Sequence, residues 1–516
     1  MRDRPLEIPE HSGEVLLVPG RVDLVAVARR NRDRLSGERT PIAGVPLSDL
    51  RVRARDEILT LARAYTAALE LGPVAAGDLL LSTGHQPVFP HPGIWVKDLL
   101  LDRLAARGHT GLHVIVDSDA MEETGVDLPS HPAAFLERRR EVLRAAGAEE
   151  AYEGQPAPTG AEWADFIRRV DGHVQTVREE AVRRPWDAFR ALGRPAAADY
   201  AAFLTALRRR YEGPRHLLDV PVSMIAETPS FRAFFLHIAA DATRFLDIHN
   251  THLEAYREQQ RIRTEAQPFP NLTAEGNRIE LPFWTVAGGR RRRLLLDAHR
   301  RVLIVQGDAR ATEVSLPGDV TAPVFARLQL RPRALILTAF LRLLVVDLFI
   351  HGVSGGRYDR VTDAVIAEFF GVPPPIYAVA SATLYLPFAE SADPEAARQS
   401  LQRMIQEARH NPERVLTEPT PEQRTLIEEK WQWIRRLEAP DLTRPERRAA
   451  TQAIRALNER LSAALAERVA ALEAALAALD QHRGPTDAAV YRGYPYFLHR
   501  LNAVEDLVTR MLEAGT

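Results

Sequence analysis

The densest chemistry in the chain lies in one segment, Thr83-Gly-His-Gln-Pro-Val-Phe-Pro-His-Pro-Gly-Ile-Trp-Val-Lys97. His85 and His91 supply imidazoles that can polarise or protonate an oxygen near neutral pH. Gly84 allows a close backbone approach to a ligand, while Pro87, Pro90 and Pro92 stiffen the loop, and Thr83 and Gln86 add polar contacts. Lys97 is one of only two lysines, with Lys430, among 67 basic residues. Arginine serves wherever positive charge alone suffices, so Lys97 is a candidate for work that needs an amine, such as pairing with a carboxylate or phosphate. A helix opening near Gly93 would aim free N–H groups at the same anion.

Two further segments carry usable groups. Asp117-Ser-Asp-Ala-Met-Glu-Glu123 places four carboxylates after a strand, suited to Mg²⁺ or to accepting a proton from an amine, with Asp117 and Asp119 the preferred pair. Helix N-capping is the competing use of the same residues. His351-Gly-Val-Ser-Gly-Gly-Arg-Tyr-Asp359 is Gly-rich and precedes a helix, so Gly355 and Gly356 can cradle a phosphate or carboxylate with Arg357 closing over it. No Lys-Ser/Thr follows, which excludes a P-loop, and a plain tight turn is the alternative. The Arg290–Arg293 run reads as a solvated turn, Glu258–Arg263 as surface, and Trp431-Gln-Trp433 as packing. No metal ligand set is assigned.

The elements that must position these groups follow from periodicity and punctuation. Asp78–Ser82 and His113–Asp117 are short apolar runs of buried-strand type, joined by a helix over Gly93–Arg107. This strand–helix–strand order predicts an α/β fold with a parallel sheet, whose ligands gather at strand carboxyl ends. Helices are expected over Arg51–Leu71, Phe231–Arg263, Pro332–Leu348 and Tyr358–Phe370, a strand over Val220–Ala226, and a β-hairpin around Gly288-Gly289. Residues 1–50 are expected to wrap the core. The span 130–215 reads as mostly helical, with a loop at 154–160. From Thr443 to Gln481, apolar residues step by three or four, the stripe of one long amphipathic helix ended by Gly484-Pro485. With helices at Pro394–Arg409 and Glu422–Leu437 it predicts a coiled coil, either folded on itself or a dimer seam. The resulting organisation is a core over 1–390 with inserts near 130–215 and 264–325, a helical region over 391–483, and a last helix over 484–516 that returns to the core.

Bulk properties exclude several classes. The 516 residues carry a net charge of −2, without the basic excess of a nucleic-acid binder. No apolar run is long enough to span a membrane, and no signal-peptide pattern opens the chain, so a cytoplasmic protein is expected. The absence of cysteine removes thiolate nucleophiles and thiolate metal sites.

Thr83-Gly-His-Gln86, the Pro-rich loop with its Pro92-Gly93 turn, and Lys97 resemble the BshC family, the cysteine ligases of bacillithiol synthesis. The acidic cluster after the next strand, Arg331-Pro332 before a helix, the Gly352–Gly356 turn and the late coiled coil follow in the same order. The resemblance implies a Rossmann-like core akin to class I aminoacyl-tRNA synthetases and nucleotidylyltransferases, with helical insertions and a coiled coil that makes a homodimer. It implies a ligase joining cysteine to the amine of glucosaminyl malate, with the Thr-Gly-His-Gln loop and Lys97 in the pocket. Two motifs depart from the family. Its Glu-Asp-His-Asp is Asp117-Ser-Asp-Ala here, without the His, and its Gly-Gly-Pro-Gly-Glu turn corresponds to Gly352-Val-Ser-Gly-Gly-Arg357, with a base in place of the acid. On these grounds His85, Lys97, Asp117 and Asp119 are the candidate catalytic residues, and Thr83, Gly84, Gln86, His91, Gly355, Gly356 and Arg357 the candidate binding residues. The cofactor is open, with ATP or ADP as candidates, and the expected partner is a small-molecule substrate. The competing expectations are a non-catalytic nucleotide or sugar-phosphate binder that dimerises by its coiled coil, and a purely structural interaction protein.

Overall fold

Six strands form the central sheet: β1 (Val15–Val18), β2 (Leu80–His85), β3 (Thr110–Ile115), β4 (Leu217–Pro221), β5 (Leu348–His351) and β6 (Ala378–Ala382). They are seen in a computed structural model that describes residues 6–20, 22–131, 136–145, 147, 150–264, 269–307, 310–388, 394–416, 419–439, 442–480 and 488–515. The order across the sheet is β1-β6-β5-β2-β3-β4. Only the β1–β6 pairing is antiparallel. The chain steps outward from β2 through β3 to β4, then crosses back to β5, so the direction of winding reverses between β2 and β5.

Both faces of the sheet are covered, which is why its strands are apolar runs rather than alternating ones. Helices α1 (Leu24–Ser36), α2 (Leu47–Ala68), α3 (Pro92–Ala105), α4 (Tyr200–Glu212), α5 (Val353–Glu368) and α6 (Leu501–Gly515) do most of the covering. Leu79, Leu81, Leu217 and Ile350 share one core with α3, α4 and α6. Leu80, Leu112, Leu218 and Val220 share the other with α2 and α5. Asp347 pins the reversal: its carboxylate accepts the Leu80 N–H at 2.7 Å and pairs with Arg51 at 2.6 Å and Arg55 at 2.9 Å.

Two insertions flank this core. The first begins with two antiparallel strands, Thr124–Ser130 against Glu137–Arg144, before its helices, so the expected mostly helical span is corrected at its start. The second contributes an antiparallel sheet whose central strands are Arg278–Ala287 and Arg290–Asp297. Their two-residue connection is Gly288-Gly289, with φ of 60° and 76°, the positive values a tight hairpin of this kind requires.

Other expectations are also corrected. Residues 1–50 do not merely wrap the core; they supply β1 and α1. The single helix expected over Phe231–Arg263 is two, Pro229–Ala240 and Ala242–Gln260, separated at Asp241. The helix expected over Pro332–Leu348 is a strand end, a helix over Ala334–Phe340, a π-turn over Leu341–Val345 and then β5. The long helix expected from Thr443 is Arg444–Ala463 followed by Ala466–Asp480. These pack within the chain on Pro421–Leu437 and Pro394–His410 respectively. Lys430, on the helix Pro421–Leu437, is buried, with its ammonium 2.7 Å from Glu413 and 3.3 Å from the His410 carbonyl. The boundary at 390/391 and the Gly484-Pro485 stop lie outside the described residues. Among the described residues no helix is long and apolar enough to cross a membrane.

Candidate functional site

The carboxyl ends of β2, β3, β4 and β5 come together on one edge of the sheet, and most of the candidate residues stand there. Gly84 and His85 end β2 beside Val114 and Ile115 of β3, which in turn pair with Val220 and Pro221 of β4. Gly84 cannot be replaced by a larger residue without displacement, since a Cβ there would lie 2.5 Å from the Val114 carbonyl oxygen. Thr83 lies just below the edge and its hydroxyl donates to the Ile350 carbonyl at 2.7 Å, tying β2 to β5 rather than facing a ligand.

Lys97 rises from α3 into the gap between β2 and β5. Its ammonium donates to the Gly84 carbonyl at 3.1 Å, and its Cε passes 3.9 Å from where a Cβ on Gly352 would stand. The side chain is buried, and burial lowers the ammonium pKa from its ordinary value. The start of α3 is not open to an anion as expected. His91 caps it by accepting the Gly93 N–H at 3.0 Å, and Gly93 is packed against Arg492 and the Ala382 carbonyl. Burial, with Arg492 nearby, pushes the His91 imidazole down to about 4, so it is neutral at physiological pH and serves as a cap rather than an acid.

The Gly-rich segment also plays another part. Gly355 and Gly356 lie in the first turn of α5, where Gly356 is pressed against Val379 and its carbonyl accepts the Tyr377 hydroxyl at 2.8 Å. Arg357 does not close over an anion; its guanidinium donates to the Leu6 carbonyl at 2.9 Å. Both glycines therefore permit close packing, and Gly352 is the residue of this segment that borders Lys97.

Beyond β3 the edge becomes acidic. Gln86 is exposed and donates to Asp119 at 2.9 Å, and Arg291 pairs with the other Asp119 oxygen at 2.7 Å. The four-Arg run is thus a half-buried strand with a partner at the site, not a solvated turn. Asp117 turns toward β4, where the Ser223 N–H donates to it at 2.9 Å and the Ser223 hydroxyl donates to its second oxygen. Burial raises the Asp117 carboxyl to about 7, with neighbouring Glu153 adding to the rise and the Ser223 hydrogen bonds opposing it.

Asp117 opens onto a cavity of about 730 Å³ between the sheet edge and α2. Its carboxylates are Asp56, Glu57, Asp117, Glu153, Asp199 and Glu227, against the single cation Arg331. Arg331 is itself committed, gripping Glu153 at 2.8 Å and Glu227 at 2.9 Å. The Tyr65 hydroxyl lines the same space without a hydrogen-bond partner, and burial raises its pKa well above the usual phenol range. A space of this size and sign suits a small cation such as a protonated amine, and a carboxyl that titrates near 7 suits removing its proton.

Below the edge, on the α3 face, lies a buried polar network that sequence reasoning missed. Thr83, His113 and Asp219 occupy one row across β2, β3 and β4. His113 Nδ1 lies 3.0 Å from Asp219, Arg208 of α4 is 2.9 Å from both Asp98 and Glu212, and His85 Nε2 is 3.4 Å from Asp98. Burial works to raise the Asp98 carboxyl, but the Arg208 guanidinium together with His113 and His85 outweighs it and holds the group well below the usual carboxylate range. His85, Asp98 and His113 each offer a ligand atom within 4.8 Å of the others, so a metal ion has a place to sit. The available signal was a polar residue inside each apolar strand run, Leu112-His113-Val114 and Leu218-Asp219-Val220. Compared with known proteins, the chain matches no family model, and no curated protein matches it.

Proposed function

We propose that the chain is a carbon–nitrogen ligase on a Rossmann-like core, joining cysteine or a related amino acid to the amine of an acceptor resembling glucosaminyl malate. The observation that carries this reading is the acidic cavity opening on Asp117, whose carboxyl titrates near 7. A protonated amine is drawn in by the carboxylates, Asp117 accepts its proton, and the freed lone pair attacks the acyl carbon of a cysteine carboxyl activated by ATP as a mixed anhydride. The C–N bond forms as the acyl C–O bond to the phosphate-bearing group breaks and that group leaves. The strand order supports the core assignment, since the five parallel strands follow the doubly wound order with a ligand crevice at the reversal. That crevice holds Gly84, Gly352 and Lys97, and an anionic group of substrate or nucleotide would meet the Lys97 ammonium there. ATP or ADP is the nucleotide this reading admits. Dimerisation through the helical region over 394–480 belongs to the same reading, and light scattering of the purified protein tests it.

A second reading, a non-catalytic nucleotide or sugar-phosphate binder, is favoured by the acidic motif's missing imidazole at Asp117-Ser-Asp-Ala. One experiment separates the two. The protein is incubated with cysteine and glucosaminyl malate, with and without ATP, and products are followed by mass spectrometry beside a thermal-shift series. An amide product that Asp117→Asn abolishes supports the ligase. Stabilisation by nucleotide alone, with no product and no response to amines, supports the binder; a ligand at 100 times its dissociation constant adds about 2.7 kcal/mol.

A further inference from the structure

Two buried groups beneath the sheet edge face each other. Asp98 Oδ1 and His113 Nε2 both lack a hydrogen-bond partner, their residues are 0% and 2% exposed, and the two atoms are 3.9 Å apart. That separation is too long for a hydrogen bond, and leaving such atoms unpaired costs about 1–3 kcal/mol each.

The tautomers make the arrangement more specific. His85 Nδ1 is 2.6 Å from the Gln86 carbonyl, which only accepts, so this nitrogen carries the proton and Nε2 keeps its lone pair. His113 Nδ1 is 3.0 Å from the Asp219 carboxylate, another acceptor, which outranks the longer 3.3 Å approach of Arg208 to the same nitrogen. With a proton on Nδ1, His113 turns its Nε2 toward Asp98 Oδ1. Two imidazole nitrogens and a carboxylate converge, a donor set that a bound cation satisfies.

We infer that His85 Nε2, His113 Nε2 and Asp98 Oδ1 bind a divalent transition-metal cation of the zinc class. Two nitrogen ligands and one carboxylate with a further position free are the donor set of such ions, not of Mg²⁺ or Ca²⁺. Asp219 behind His113 and the Gln86 carbonyl behind His85 are the outer partners that orient metal-binding imidazoles. Arg208 bonds Asp98 Oδ2 and leaves Oδ1 for the ion. Glu212 and Asp219 answer the Arg208 and Arg209 guanidinia, while the Lys97 ammonium is turned to Gly84. Ligand atoms around tetrahedral zinc stand about 3.3 Å apart, so the present spread of up to 4.8 Å closes on binding. His85, at the end of β2, is the one of the three that is not fully buried. The inference stands apart from the proposed reaction, because it rests on the donor set and not on the acidic cavity.

The test uses the full chain, stripped with a chelator and titrated with Zn²⁺ alone, then with Co²⁺. Wild type is expected to retain one zinc per chain by elemental mass spectrometry and to give the intense visible absorption of low-coordinate Co²⁺. His85→Gln and His113→Gln are expected to lose that absorption and to weaken zinc binding by more than about a hundredfold, exceeding the loss typical of outer-sphere changes. Should His113→Gln fail to fold, His85→Gln at the rim decides by itself. The inference is overturned if folded wild type takes up no zinc, or if the His85→Gln variant holds it as tightly as wild type. Metal uptake without any ligated product would leave the cation site standing and remove the ligase reading, so the two failures are distinguishable.

Discussion

Asp117→Asn gives a direct measure of how the acidic cavity is built. The substitution keeps the shape of the side chain and an oxygen for the Ser223 N–H, but removes the charge. In the folded chain this carboxyl titrates near 7, against an ordinary value of 3.8. The folded state therefore binds the proton more tightly than the unfolded chain does. Below pH about 4 both states are protonated, and the Asp and Asn proteins should be nearly equal in stability. As pH rises toward 7 the unfolded wild-type chain ionises first, and wild type loses stability that the variant keeps. Three pKa units correspond to about 4 kcal/mol, reached near pH 7 and constant above it. For a chain of 516 residues unfolding as a unit, this difference is about 4 °C in melting temperature. Differential scanning calorimetry of both proteins from pH 5 to pH 9 measures it. The variant should gain on wild type through the lower half of that range and run parallel to it above. A difference that does not change with pH would refute the elevated carboxyl, and with it the proton-accepting role.

Other substitutions test separate parts of the structure. Lys97→Arg retains the charge but forces a wider, planar group into the gap beside Gly352; kcat/KM for the ligation should fall at least tenfold, about 1.4 kcal/mol, and full activity would show that no amine is needed there. Gly356→Ala places a Cβ 2.3 Å from Val379 Cγ2 and should cost about 1–3 kcal/mol in urea denaturation, with Val379→Ala restoring part of the loss. Lys430→Met leaves the buried Glu413 carboxylate unpaired and should cost about 3–5 kcal/mol, read as early melting of the helical region, whereas Lys430→Met with Glu413→Leu should recover most of it.

The sequence made the β2–α3–β3 unit legible because Gly and Pro punctuate it and Pro92 falls at the first helical position. It concealed β5 because Leu335–Ile350 is almost continuously apolar, and a buried run of that kind has the same composition as helix or strand. The site divided in the same way. His85 ends β2, and Gln86, Asp117 and Asp119 sit on the loops after β2 and β3, where a local motif reports position. Asp98, His113, Ser223, Arg291 and Arg331 reach the site from five separate elements, and no local spacing connects them. His91, Gly355, Gly356 and Arg357 carried the right residue types but spend them on a helix cap, close packing and the Leu6 carbonyl. The types of these residues identify their capabilities; burial and partners decide which capability is used.

The burial of both lysines has a consequence for how the chain meets reagents. Lys97 is 4% exposed and Lys430 1%, so the native surface offers no side-chain amine to acylating labels, aldehyde fixatives or enzymes that modify lysine. Reaction at either position then requires local opening, one in the α/β core and one in the helical region. Amine labelling followed by peptide mapping thus becomes a two-channel clock for the breathing of these separate parts, supplied by the chain's own composition.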